Sequence, residues 1–232
     1  TIIDAENIVY VGSKDGIFYA IDGKNGSVVW KYQDDRVVSY SYSTSAIDNN
    51  GVLYTVAAQT YDKNGNPTNG MVIAIDKESG RKKWDFLLPA GAGVCAPIIT
   101  SGGNIIIPAI GSIYALSQNT GDLKWNFKHR GGYNYKAGPL SAAVGDNGNI
   151  YFGSSDRFIY AIEGKTGNKV WAVRTGAPVV SAPLISNDGT LYIGSDDGRL
   201  YAIATGSSGP AKSPWPMYGQ NAQRTNRAPA AK

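Results

Sequence analysis

Two short segments of the chain combine tyrosines with cationic side chains. One covers residues 36–42 and the other residues 128–136, and two further residues of these types lie outside them. Tyrosine offers a large flat ring and a hydroxyl, and beside arginine or histidine it suits stacking on sugars or holding an extended peptide. We therefore predict a binding site for a protein or polysaccharide partner. Its candidate residues are Arg36, Tyr40, Tyr42, Tyr61, His129, Arg130, Tyr133, Tyr135 and Arg157.

Four of these tyrosines have a second interpretation. Tyr40 with Tyr42, and Tyr133 with Tyr135, are spaced two residues apart. In an extended segment that spacing places both rings of a pair on the same side. The rings could then pack between neighbouring sheets instead of facing a ligand, and the sequence leaves both interpretations open.

The chain offers little for nucleophilic catalysis. His129 is its single histidine, and Cys95 is its single cysteine, within small and apolar residues typical of a buried strand. A catalytic thiol needs a neighbour that lowers its pKa, and nothing local to Cys95 supplies one. One cysteine forms no disulfide within the chain, and no Cys/His spacing matches a zinc site. We expect no catalytic residues.

Paired carboxylates are a second catalytic arrangement. Glycoside hydrolysis needs two that face each other, and residues on separate loops leave no local pattern. Asp34, Asp35 and Asp85 are the main acids outside the predicted turns. A carbohydrate-binding or carbohydrate-active protein therefore stays open as an alternative to a non-catalytic one.

One segment partly resembles a calcium loop. Asp62, Asn64 and Asn66 stand at alternate positions, as the first ligands of such a loop do. The match then ends, because Pro67 follows and the twelfth position is Ile73 instead of glutamate. We interpret the segment as a polar hairpin extension and expect no metal.

A repeated motif shows which elements position these residues. Four residues of the type Tyr-Ala-Ile-Asp recur five times, at 19–22, 73–76, 114–117, 160–163 and 201–204. In the first four copies, three residues, a glycine and three more residues lead to a tryptophan. These tryptophans are Trp30, Trp84, Trp125 and Trp171. A repeat of this length predicts a propeller or a solenoid.

Each unit reads as four short antiparallel strands, which we call A to D from the inside outwards. Runs of four to six residues rich in Val, Ile, Tyr and Trp alternate with Asn/Asp/Gly turns. Four-stranded sheets at this period are typical of β-propeller blades. The repeated motif is then strand C, and the tryptophan lies on strand D, where it fills the space between blades. The D–A and B–C connections share one face, which carries the candidate binding residues.

The motif Tyr-Ala-(Ile/Leu)-Asp-x3-Gly-x3-Trp resembles the pyrroloquinoline-quinone-type (PQQ-like) repeat of bacterial secreted and periplasmic β-propellers. In repeat type the chain is similar to the barrel-assembly lipoprotein of the outer membrane. The resemblance covers residues 1–204 and implies an all-β propeller, followed by a closing segment at 205–232. We expect five blades, with Trp215 supplying the last strand D. The alternative is the C-terminal part of a seven- or eight-bladed propeller.

The resemblance also raises the question of a quinone cofactor. Quinoprotein dehydrogenases of this family bind PQQ at the hub of an eight-bladed ring, with Ca²⁺, a stacking tryptophan and commonly a vicinal cysteine pair. This chain has one cysteine, and four of its five tryptophans belong to the repeat. We therefore expect no cofactor. The resemblance implies a binding or scaffolding propeller, with a structural subunit of an extracellular assembly as a further alternative.

The composition of the chain indicates its cellular location and excludes some classes of partner. The net charge is +4 and there is no dense run of Lys and Arg, so we expect no nucleic acid. Residues 86–121 carry no charged side chain, yet prolines and glycines interrupt them, so we expect no transmembrane segment. The first residues do not resemble a signal peptide. We expect an extracellular or periplasmic protein, with membrane association only through an anchor that precedes residue 1.

Overall fold

The computed structural model describes residues 1–40, 44–57, 59–61, 67–68, 70–89, 96–131, 141–221 and 223–228, with the backbone alone at 59, 61, 67 and 68. All regular elements in these ranges are β-strands, and none is a helix. Several residues singled out above lie outside the described residues. They are Tyr42, Asp62, Asn64, Asn66, Cys95, Tyr133 and Tyr135.

Four sheets of four antiparallel strands follow one another along the chain. Sheet 1 contains Ile2–Ile3, Ile8–Gly12, Ile17–Asp22 and Val28–Gln33. Sheet 2 contains Ala46–Ile47, Val52–Ala57, Met71–Asp76 and Lys82–Leu87. Sheet 3 contains Ile98–Ile99, Asn104–Ala109, Ser112–Ser117 and Leu123–Lys128. Sheet 4 contains Ala142–Val144, Asn149–Ser154, Phe158–Glu163 and Lys169–Arg174. In each sheet the strands lie in the order A, B, C, D.

Two smaller sheets complete the strands. Sheet 5 has strands A, B and C alone, at Leu184–Ile185, Thr190–Gly194 and Leu200–Ala204. A separate sheet joins Val37–Ser39, Gln59–Tyr61 and Pro67–Thr68. In that sheet Val37, from the D–A connection of sheet 1, pairs with Thr60, from the B–C connection of sheet 2. This pairing confirms that D–A and B–C connections share one face.

The alanine of the repeated motif has a packing role. It lies directly opposite the tryptophan of strand D in all four complete sheets. The pairs are Ala20 with Trp30, Ala74 with Trp84, Ala115 with Trp125, and Ala161 with Trp171. Directly opposite side chains lie on the same side of a sheet, so the small alanine leaves room for the indole. One residue further along strand C, each pair of strands shifts register by a bulge.

The same tryptophans connect each sheet to the next. The indole N–H of Trp84 donates to the carbonyl oxygen of Gln118 in sheet 3 at 3.0 Å, and its ring covers Gly121 in the C–D turn of that sheet. Trp30 donates to the sheet 2 residue Lys77 at 2.8 Å, and Trp125 to the sheet 4 residue Gly164 at 3.1 Å. We call this combination of indole hydrogen bond and covered glycine the tryptophan lock.

The apolar core runs between consecutive sheets in three clusters. One cluster joins sheets 1, 2 and 3, a second joins sheets 3 and 4, and a third joins sheets 4 and 5. Among the described residues no cluster joins sheet 5 to sheet 1. Leu200 on strand C of sheet 5 is 71% exposed. Its counterparts in sheets 1–4 are at most 1% exposed, and they are Phe18, Val72, Ile113 and Ile159. Among the residues that the structure describes, none therefore covers Leu200 on the outer side of sheet 5.

The C-terminal segment does not supply the missing strand, so the predicted place of Trp215 is wrong. Trp215 is 2% exposed and accepts the N–H of Ile99 on its carbonyl at 2.8 Å. Pro216 likewise accepts the N–H of Val144 at 2.8 Å. The segment thus runs along the inner A strands, whose free donors it satisfies. Two prolines flank Trp215 and lack the N–H that a strand D must donate.

The end of this segment reaches the beginning of the chain. Arg227 pairs in parallel with Ile3 of sheet 1, and the N–H of Ile3 donates to Asn226 at 2.9 Å. Met217 pairs with Ala143 of sheet 4. The inner ends of sheets 1, 3 and 4 are therefore tied to the same C-terminal segment.

Candidate functional site

One face of the sheets carries the D–A and B–C connections, and we call it the loop face. A D–A connection there contacts the B–C turn of the next sheet. The N–H of Arg130, after sheet 3, donates to Asp156 of sheet 4 at 3.1 Å. The N–H of Gly176, after sheet 4, donates to Asp197 of sheet 5 at 2.9 Å. The loop face is therefore continuous from one sheet to the next.

A recurring turn shapes this face, and the sequence analysis missed it. In three B–C turns an aspartate accepts the hydroxyl of a tyrosine four residues later on strand C. The pairs are Asp15 with Tyr19 at 3.0 Å, Asp156 with Tyr160 at 2.8 Å, and Asp197 with Tyr201 at 2.7 Å. The signal was present, because the aspartate stands four residues before the tyrosine of the repeated motif in each of these units.

Arg157 has an unusual backbone in this turn. Its φ is +71°, whereas the same position in sheets 1 and 5 is taken by Gly16 at +80° and Gly198 at +81°. A residue with a side chain pays about 1–2 kcal/mol for the left-handed conformation. Strain of this kind concentrates at functional positions. Arg157 is exposed, so its cation points away from the core on the loop face.

A cavity of about 550 Å³ opens between sheets 3 and 4. Its walls combine three aromatic rings, three cations, one histidine and one carboxylate. The lining residues are Phe127, Lys128, His129, Arg130, Asp156, Phe158, Tyr160 and Lys169. Two of the predicted residues, His129 and Arg130, therefore line one cavity, and Arg157 follows Asp156 directly.

His129 forms part of the cavity wall and of the aromatic packing behind it. Its ring centroid lies 5.6 Å from Phe152 and 6.2 Å from Tyr160. Its Nδ1 atom accepts the N–H of Gly131 at 3.2 Å and lies 2.9 Å from the hydroxyl of Ser154. Burial lowers the pKa of His129, and the charge of Asp156 opposes this only in part. The imidazole is therefore neutral at pH 7, with its proton on Nε2.

Asp156 is the one acid of the cavity. Its Oδ2 atom accepts hydrogen bonds from Tyr160 and from the backbone of Arg130. Its Oδ1 atom is buried and has no hydrogen-bond partner among the residues that the structure describes. A buried acceptor without a donor is costly. Burial and the hydrogen bond to Asp156 together raise the pKa of Tyr160, so its hydroxyl stays a donor.

Arg36 is tied into an ion-pair network. Its guanidinium donates to both oxygens of Asp34 and to both oxygens of Asp85, at 2.8–3.1 Å, and Lys82 lies 2.6 Å from Asp85. The hydrogen bonds from Arg36 lower the pKa of Asp34 well below its usual range. Arg36 joins the end of sheet 1 to strand D of sheet 2. Its donors are thus engaged within the chain.

Tyr40 and Tyr61 occupy different surroundings. The structure places Tyr40 in the core, 2% exposed, with its ring 5.5 Å from Phe18 and its Cβ over Gly12. A substituent on Gly12 would lie 2.4 Å from Tyr40, which explains the glycine. For Tyr40 the structure therefore agrees with packing in the core, the second interpretation given for the paired tyrosines. The backbone of Tyr61 pairs with Pro67 in the small sheet on the loop face.

In the ranges given above, no group of three or more His, Cys, Asp or Glu side chains is arranged to hold a metal ion. No helix long and apolar enough to cross a membrane occurs among those residues.

The sequence matches a family model described as outer membrane protein assembly factor BamB, at residues 3–90, 42–141 and 109–211. Among curated proteins, a quinoprotein ethanol dehydrogenase of Pseudomonas putida is 26% identical over 61% of this chain. The outer membrane protein assembly factor BamB of Yersinia pestis is 27% identical over 50% of this chain. The matches cover 24% and 27% of those two proteins, so this chain spans about a quarter of their length.

A solved structure supports the fold. The crystal structure of BamB from Moraxella catarrhalis superimposes with a TM-score of 0.69, at 22% identity. The superposition covers 93% of this chain and 62% of that one. The predicted all-β propeller of four-stranded antiparallel sheets is thereby confirmed. The number of blades in the complete propeller stays a prediction.

Proposed function

Because this chain belongs to the PQQ-like repeat family described as outer membrane protein assembly factor BamB, we propose that it is a non-catalytic binding propeller that acts outside the cytoplasm. It holds a partner protein on its loop face. The observation that supports this is the cavity between sheets 3 and 4. Phe127, Phe158 and Tyr160 offer apolar faces there, and Lys128, Arg130 and Lys169 surround them with positive charge.

The chemistry of the cavity suits a protein segment that carries an acidic and an aromatic side chain. Aromatic rings bury large areas on binding, and exposed cations steer acidic partners and set orientation. The strained backbone of Arg157 adds a cation beside the same opening.

The quinone alternative does not fit these residues. In relatives that use PQQ the cofactor lies at the hub of the ring. Here Trp215, Pro216 and Met217 lie along the inner strands, where Ile99 and Val144 donate to them. The buried indole of Trp215 belongs to the core cluster of sheets 1–3. The hub side of these sheets is therefore occupied by the chain itself.

A polysaccharide is the second candidate ligand, since aromatic walls beside a carboxylate also suit a sugar ring. Hydrolysis is not supported there, because it needs two facing carboxylates and Asp156 is the single acid of the lining. A titration of the purified protein with neutral and acidic oligosaccharides tests this candidate directly. Saturable binding that Tyr160→Ala abolishes would favour it over a protein partner.

Site-specific photocrosslinking tests the proposed function. A photoreactive residue at position 130 should give a defined adduct with an envelope protein of the producing bacterium. The same residue at Lys24, an exposed position in the C–D turn on the opposite face, should give none. Added salt should reduce the adduct at 130, because the surrounding cations act through a screened charge interaction. Equal adducts from both positions would contradict the proposal.

A further inference from the structure

The cavity lies in the gap between sheets 3 and 4, and the corresponding gap between sheets 1 and 2 is filled by charged side chains. In that filled gap Lys82, at the start of strand D, lies 2.6 Å from Asp85 on the same strand and 3.5 Å from Asp34 at the end of sheet 1. Arg36 donates hydrogen bonds to both aspartates. Two cations therefore balance two carboxylates between sheets 1 and 2, and the chain itself supplies all four groups.

The repeat shows which residues of sheet 4 take the places of these sheet 2 residues. Lys82 and Lys169 both lie two residues before the tryptophan of their strand D. Asp85 and Ala172 both follow that tryptophan directly. The two strands have the same register and the same bulge against strand C, so the corresponding side chains point to the same side, towards the preceding sheet. Lys169 therefore keeps the place of Lys82, but the aspartate beside it is replaced by an alanine.

The second carboxylate of the filled gap is also replaced. Asp34 stands four residues after Trp30, and His129 stands four residues after Trp125. The imidazole of His129 is neutral at pH 7, so it carries no charge that could balance a lysine. Among the residues that the structure describes, Lys169 has no ion-pair partner. The lining of the cavity therefore carries an excess of positive charge, with three cations against one carboxylate.

The chain around the cavity offers no other acid for this place. Asp156, the one acid of the lining, accepts hydrogen bonds from Tyr160 and from the backbone of Arg130. Residues 132–140, which follow the D–A connection of sheet 3 in the sequence, contain neither Asp nor Glu. The place that a carboxylate occupies between sheets 1 and 2 is thus left, between sheets 3 and 4, to a group from outside these sheets.

We propose that the place beside Lys169 and Ala172 is a carboxylate subsite of the cavity, which takes an aspartate or glutamate side chain of the partner protein. The inference rests on the proposed function, because it names the group that the cavity receives from that partner. The filled gap supports a protein side chain as the source, since Asp85 is one. Tyr160 lies opposite Ala172 and offers a ring to the residue next to the acid. Complementary charge of this kind selects an acidic segment and fixes its orientation.

Two capped dipeptides serve as probes, N-acetyl-Asp-Phe amide and N-acetyl-Asn-Phe amide, which differ in the carboxylate alone. Each is titrated into the isotope-labelled full chain and followed by NMR, and we expect binding in the millimolar range. The aspartyl peptide should bind about fivefold more tightly, or about 1 kcal/mol, as the upper range for an exposed ion pair allows. Lys169→Gln should remove this preference. Equal binding of the two peptides by the wild type, or binding of neither, overturns the proposal.

Two matched variants test the place of the carboxylate. Ala172→Asp supplies the missing group from the chain, as Asp85 does in sheet 2, and should remove the preference for the aspartyl peptide. Asn126→Asp adds the same charge at the same register position of sheet 3, where Leu123 stands in place of the lysine, and should keep the preference. Both positions are exposed on strand D, so both variants should fold, which circular dichroism checks. A preference that survives in Ala172→Asp, or is lost in Asn126→Asp, overturns the proposal.

Two further measurements separate the subsite from its alternatives. Glucuronate that binds more tightly than the aspartyl peptide, and only when Lys169 is present, would overturn the protein side chain as the occupant. The photocrosslinked adduct at position 130 reports on the proposed function by itself. If Ala172→Asp leaves that adduct unchanged, the subsite is wrong and the proposed function stands. If the wild type gives no adduct yet prefers the aspartyl peptide, the subsite is supported and the proposed function is wrong.

Discussion

The tryptophan lock predicts that one substitution will have very different costs at two equivalent glycines. Gly26 and Gly121 occupy the same position of the C–D turn, with φ of +77° and +76°. An added Cβ at Gly121 would lie 2.6 Å from the indole of Trp84, whereas at Gly26 no atom lies within 4 Å. Gly26→Ala is therefore a matched control that shares the backbone strain of Gly121→Ala and lacks the steric clash.

The expected magnitudes follow from these two contributions. An alanine in the left-handed conformation costs about 1–2 kcal/mol. Part of this, about 0.4–1 kcal/mol, is offset because alanine stiffens the unfolded chain. Gly26→Ala should thus lower the free energy of unfolding by about 1 kcal/mol. Overpacking of this kind adds about 1–3 kcal/mol, so Gly121→Ala should cost about 2–4 kcal/mol.

Urea unfolding followed by circular dichroism and by tryptophan fluorescence measures both values. Coincident transitions are needed, since repeat proteins can unfold in steps. In a Trp84→Ala background the extra cost of Gly121→Ala should disappear, because the indole that it meets is absent. The reasoning is refuted if Gly26→Ala and Gly121→Ala cost the same, or if their difference persists without Trp84.

Three further predictions concern the loop face. Arg36→Ala should lower the free energy of unfolding by about 1–2 kcal/mol, because Asp34 and Asp85 lose the guanidinium hydrogen bonds and keep Lys82 as their one shared cation. The pKa of Asp34 is lower in the folded state than in the unfolded state, so the stability difference between wild type and Arg36→Ala should be complete above the ordinary aspartate pKa. It should vanish as the pH falls through the lower pKa of the folded state, which urea titrations at acid pH will show. Arg157→Gly should raise the free energy of unfolding by about 1 kcal/mol while weakening partner adducts at the cavity, and unchanged stability would contradict the strain argument. The wild type should lose free energy of unfolding between about pH 7 and pH 5, because burial lowers the pKa of His129 and only the unfolded state takes up a proton there. His129→Gln should make this loss smaller. An unchanged pH profile of stability would contradict the argument.

The fold was largely predictable from the sequence because each repeat contains both the residues that form a sheet and the residues that contact the next sheet. Each copy of the motif carries a strand, a turn glycine and a tryptophan at fixed spacing. These constraints determine antiparallel order within a sheet and contact with the next sheet. The role of the motif alanine was not predicted, since it depends on which residue lies opposite across the C–D bulge.

The candidate site was less predictable because residue type does not report burial or pairing. Arg36 looked like a ligand-binding cation, yet Asp85 lies 49 positions away and engages it. His129 and Arg130 were among the candidate residues, but Asp156 was not singled out and Tyr160 was assigned to the repeat alone. The contacts of Arg36 with Asp85 and of Arg130 with Asp156 join separate sheets, so the spacing within one unit contains no sign of them.

Some of the contacts that attach sheet 5 differ from those that attach the other sheets. The turn after its strand C carries Ser208 at the position where sheets 2, 3 and 4 carry a glycine covered by a tryptophan. Ser207 and Ser208 donate instead to Asp146 of sheet 4 and lower the pKa of that carboxyl to about 2. Beside the apolar cluster that joins sheets 4 and 5, this part of the attachment is polar and lies at the surface, where water competes for the same hydrogen bonds. Sheet 5 should therefore exchange its amide hydrogens faster than sheets 2 and 3, which hydrogen exchange read by mass spectrometry will measure.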